Sequence, residues 1–76
     1  MKKSNFIFPF KKSDLGMTLE GLPIKTVKLF KKFAEMMGDI YLRFSGDFPD
    51  KFEWASAEAD KWFAEVVRIN KFLALK

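Results

Sequence analysis

The sequence predicts an all-α fold: an antiparallel two-helix hairpin with an extended aromatic N-terminal arm, completed by dimerisation or by a partner. Three observations carry that reading. Residues 24–44 place apolar side chains at three- and four-residue spacings around most of a helical wheel. Residues 50–74 show the same period with a single apolar face. The link between them, residues 45–50, is short enough to make the two helices antiparallel neighbours. The chain of 76 residues is one small domain, divided into arm and strap (1–23), helix 1 (24–45) and helix 2 (50–74).

Helix 1 organises the rest. Lys25, Lys28, Lys32, Glu35, Asp39 and Arg43 fall on one narrow strip, with Lys31 beside it. Leu29, Phe30, Phe33, Ala34, Met36, Met37, Ile40, Tyr41, Leu42 and Phe44 fill nearly all the remainder. That apolar arc is roughly two-thirds of the circumference, where a surface helix needs little over a third, so this helix requires cover on more than one side. The charged strip is a solvated face laced by pairs such as Lys32 with Glu35, each worth about 0.2–0.5 kcal/mol. Pro23 suits the first turn, where its missing N–H costs nothing. Gly38 costs about 1 kcal/mol against alanine in mid-helix, and marks either a bend or the close approach of a neighbour. Ser45–Gly46 ends the helix, with Gly46 expected in the left-handed cap conformation.

Before this helix the chain reads as extended. Phe6, Phe8 and Phe10 alternate with Ile7 and Pro9, which puts the three rings on one face of an extended segment. Pro9 bars a helix interior. The rings either fold back over helix 1 or form a docking arm for a partner. In residues 13–23, Ser13 or Asp14 caps a short turn and Gly16, Gly21 and Pro23 punctuate the chain. Leu15, Met17, Leu19 and Leu22 alternate with polar or small residues, so this stretch is expected to lie as a strap along the apolar arc.

Helix 2 begins near Asp50, which with Glu53 has the spacing of a capping box. Phe52, Ala55, Ala59, Trp62, Phe63, Val66, Ile69 and Leu73 share its apolar face; Asp60, Lys61, Glu65, Arg68 and Lys71 lie opposite. Three residues break the pattern: Trp54, Phe72 and Leu75 project on the polar side if the helix is continuous. Trp54 and Phe72 share an angle about five turns apart. Either they lie outside the helix proper or they mark a contact site.

Composition narrows the chemistry. Histidine and cysteine are both absent, which removes the commonest general base, the commonest metal ligand and any thiolate nucleophile. Glu35 and Asp39 share a face but sit between Lys32 and Arg43, an arrangement for ion pairing rather than for a metal. No phosphate-cradling loop is present. The expectation is no enzymatic activity, no cofactor, no metal and no small-molecule substrate. No apolar run approaches the roughly 20 residues that cross a bilayer, and the start Met-Lys-Lys lacks a following apolar core and cleavage site, so the expected location is cytoplasmic.

What remains is binding. Ten phenylalanines in so short a chain exceed what two helices hold comfortably, and aromatic residues are enriched at interfaces. The reading adopted is a small protein-binding module (a regulator, inhibitor or accessory subunit, or a homodimer), using Phe6, Phe8, Phe10, Trp54 and Phe72. The alternative is nucleic-acid binding. Residues 1–32 carry eight lysines against Asp14 and Glu20, a net +6, while residues 33–76 are net −2. Lys25, Lys28, Lys31 and Lys32 would neutralise phosphates, although arginine is scarce and glutamine absent. Membrane-surface binding ranks last, because the acidic face of helix 2 would repel anionic lipid.

Overall fold

A computed structural model describes residues 10–75. Two α-helices, α1 (Ile24–Asp47) and α2 (Phe52–Ala74), pack against each other, preceded by one short 3-10 turn at Lys12–Asp14 and joined by another at Pro49–Lys51. There is no strand among the described residues. No helix among them is long and apolar enough to cross a membrane.

The core lies between the helices and under the strap. Val27, Phe30, Phe33, Ala34 and Tyr41 from α1 meet Ala59, Trp62 and Ile69 from α2, and Leu19 closes the cluster from the strap. Leu15, Met17 and Leu22 pack on its margin, as their alternation predicted. Phe10 is packed there too: its ring lies 5.0 Å from Phe30 and 5.8 Å from Phe33. The last ring of the aromatic arm therefore covers helix 1. Phe6 and Phe8 lie outside the described residues.

Gly38 marks a close approach. A Cβ there would stand 2.6 Å from Cε1 of Phe63 on α2, closer than carbon atoms tolerate. Gly38→Val should therefore cost about 1–3 kcal/mol, read as a lower denaturation midpoint. The half-buried Phe63 ring can yield part of the way, so the value belongs at the lower end of that range.

The helix ends differ from expectation. Gly46 is inside α1, and the glycines with positive φ are Gly16 and Gly21. Pro49 explains this: it stops the helix by lacking an N–H, after Phe48 has closed the last turn with an N–H bond to the Phe44 carbonyl at 2.9 Å. No left-handed residue is needed. The Asp50–Glu53 capping box does not form either. Asp50 sits in the 3-10 turn, Lys51 is the N-cap residue of α2, and no side chain caps it. At the other turn the expected cap is present, since the Lys11 N–H donates to Asp14 Oδ2 at 2.9 Å.

A larger difference concerns α2. Glu65, placed by the helical period on a solvated face, is 5% exposed. Its carboxylate accepts the Gly16 N–H at 2.8 Å and the Arg68 Nε–H at 2.9 Å, while Arg68 Nη2 donates to the Met17 carbonyl at 2.7 Å. The strap runs over this flank of α2 and is latched there. That explains the outlying Phe72 as well: it lies within the helix, half-buried, and packs on the core from the strap side.

Candidate interaction surface

The turn end of the hairpin gathers aromatic rings for a local reason. Tyr41 and Phe44 stand one turn apart on α1, Phe48 ends that helix, and Pro49 folds the chain so that Trp54 returns within two residues of the start of α2. Phe44 and Phe48 approach to 4.5 Å between ring centroids. Trp54 meets Tyr41 at 5.6 Å and Phe44 at 5.9 Å, in both cases edge to face, the geometry that ring quadrupoles favour. The cluster is nevertheless open on its outer side. Phe48 is 48% exposed, Phe52 54% and Trp54 51%. A shallow cleft runs beside Phe44 and Trp54, bordered by Asp50, Lys51 and Glu53.

Phe52 thus departs from the apolar face on which its period placed it. Its ring stays 54% exposed beside the link, although Trp54 two residues on packs against Tyr41 and Phe44 of α1. Phe48 and Phe52 escaped sequence reasoning as candidate contacts. The signal available was their position on either side of Pro49, at a chain reversal rather than in a helix interior.

The other candidates are dispersed. Trp54 is at the turn end, Phe72 is near the opposite end of α2, lining a cleft with Leu19 of the strap, and Phe10 lies on Phe30 and Phe33. Lys25, Lys28 and Lys32 are exposed along the outer face of α1, and Lys31 is half-buried at its flank. The expected ion pairs of that strip do not form. The two ion pairs among the described residues are Glu58 with Lys61 and Glu65 with Arg68, both on α2. Met36 and Ile40 lie beside the strip, 38% and 50% exposed, so the wide apolar arc of α1 remains partly uncovered.

One cation already sits on the aromatic cluster. Lys12 Nζ stands 5.3 Å from the Tyr41 ring centroid, within the range of cation–π attraction. Contact with the Tyr41 side chain, aided by the nearby Glu58 carboxylate, holds the Lys12 ammonium protonated above its ordinary range.

Comparison with protein-family models finds no match, and comparisons with curated proteins and with solved structures find none either.

Proposed function

We propose that this chain is a small cytoplasmic, non-enzymatic protein-binding module, acting as a regulator, inhibitor or accessory subunit, or as a homodimer, through the aromatic turn end of its hairpin. The observation that supports this reading is the half-exposure of Phe48, Phe52 and Trp54 in one short stretch. Large apolar groups left in water at one place mark a contact site, and aromatic anchors carry much of the energy of protein interfaces. Met36 and Ile40, partly exposed beside the charged strip of α1, are a separate apolar surface available to a partner or a second copy.

A benzophenone amino acid at position 52 tests the reading. Irradiated in cells, it should join the chain to one discrete protein partner or to a second copy. The same group at exposed Asn70, near the far end of α2, should not. Equal crosslinking from both positions, or none from either, contradicts the reading.

A second reading rests on a separate observation: Lys25, Lys28 and Lys32 are exposed, and none has an ion-pair partner among the described residues. If they contact phosphates, changing all three to Glu should abolish the binding of a labelled oligonucleotide at low salt. Replacing them by Gln should lower the salt slope by about three. Fluorescence anisotropy reads both, and no binding by the unchanged chain at low salt removes this alternative.

A further inference from the structure

We propose that the cleft beside Phe44 and Trp54, bordered by Asp50 and Glu53, takes a lysine or arginine side chain from a basic segment of the protein partner. The inference rests on the protein-binding reading above and names the chemistry of what is bound.

Two features of the turn end select a cation. The first is charge. Asp50 sits in the 3-10 turn and Glu53 in the first turn of α2, both beside the exposed Trp54 ring. Neither carboxylate makes an ion pair among the described residues, and Lys51, between them in sequence, pairs with neither. Residues 44–60 carry Asp47, Asp50, Glu53, Glu58 and Asp60 against Lys51 alone. Such an end repels phosphate and anionic lipid and attracts a basic chain.

The second feature is a working example in the same cluster. Lys12, itself exposed, already lies over the Tyr41 ring. Tyr41 touches Trp54 edge to face, so the two rings belong to one aromatic unit. The cleft sets an aromatic surface at Trp54 beside carboxylates at Asp50 and Glu53, two against the one bordering cation of Lys51. A cation there gains attraction to the ring quadrupole and a charge-assisted hydrogen bond together. The apolar stem of a lysine or arginine would lie against the half-buried Phe44 ring that lines the cleft.

The test uses the full chain and a synthetic lysine decapeptide, followed by the two indole N–H resonances in NMR. Trp62 is 1% exposed and serves as the internal control. The expected result is a saturable shift of the Trp54 resonance at low salt, with Trp62 unmoved. A fully acetylated lysine decapeptide and a glutamate decapeptide should produce no shift. Asp50→Asn combined with Glu53→Gln should weaken binding about tenfold or more, and both positions are exposed, so the fold should survive. Lys12→Gln should leave the affinity unchanged.

Three results would overturn the proposal: no Trp54 shift with the lysine peptide, an equal shift with the acetylated peptide, or full affinity in the doubly neutralised chain. If any of these appeared while crosslinking from position 52 still captured a partner, the protein-binding reading would stand and its cationic chemistry would fall. If crosslinking failed as well, both would fall.

Discussion

Trp62→Ala should lower the stability of this chain by about 3–5 kcal/mol, the range for truncating a buried large aromatic. Trp62 is the largest of the fully buried side chains, and its ring meets Phe33 edge to face at 5.5 Å. It sits where both helices contribute to the core, so neither helix can close the space without losing its other contacts. A domain of this size has about 4–11 kcal/mol in total. The variant should therefore lose a large share of its stability and unfold at a clearly lower urea concentration than the parent. Urea denaturation followed by the helical circular dichroism signal measures the effect. A midpoint within experimental error of the parent would mean that the two helices do not pack through Trp62.

Glu65→Ala should cost about 1–3 kcal/mol, with the loss concentrated in the strap. The substitution leaves the Gly16 N–H without its acceptor and Arg68 without its carboxylate. Breaking a fully buried ion pair costs more. Here the Arg68 side chain is 39% exposed, and water screens and solvates the freed guanidinium. The Gly16 amide should exchange with solvent much faster in the variant, while amides in the middle of α1 change only with global stability.

The same carboxylate sets a pH dependence. Burial pushes the Glu65 carboxyl upward, but the hydrogen bonds from Arg68 and Gly16 outweigh it and hold the carboxyl below its ordinary 4.5. A carboxyl that binds its proton more weakly when folded stabilises the fold above the unfolded value, and that stabilisation is lost as pH falls through the lower folded value. The stability difference between parent and Glu65→Ala should therefore be full above about pH 5 and shrink as the solution is acidified below 4.5. Denaturant titrations at a series of pH values read the shrinkage. A difference independent of pH would remove Glu65 as the latch.

The two helices were legible because each carries a 3.6-residue period long enough to leave little choice. The strap was legible for the same kind of reason, through the alternation of Leu15, Met17, Leu19 and Leu22. The flank that the strap covers was not. Glu65 and Arg68 look like solvent-facing residues on a wheel because period alone counts helices and cannot anticipate an irregular segment crossing a charged side. Phe72 shows the converse, a residue that broke the pattern until the strap was in place.

The candidate site was legible only in part. Trp54 stood out as an apolar residue on a polar flank, and it does lie at the open aromatic end. Phe52 did not stand out. Its angle matches the buried face, yet it is the first residue of α2, beside the link, and its ring stays exposed. Phe48 was hidden for a similar reason, because a ring in a turn has no period to betray it. Gly46 was misread because glycine so often closes a helix, whereas Pro49 two residues beyond Asp47 already supplies the stop.

The most direct test of the account is the mass of the chain in native cell extract, measured by light scattering on a size-exclusion column. The parent is compared with Phe48→Ser/Phe52→Ser/Trp54→Ser. All three positions are about half exposed, so the variant should keep its helical signal. The account predicts that the parent elutes in a discrete complex heavier than one chain and that the triple variant elutes as a free monomer. Elution of both as monomers, or of both in the same complex, would contradict it.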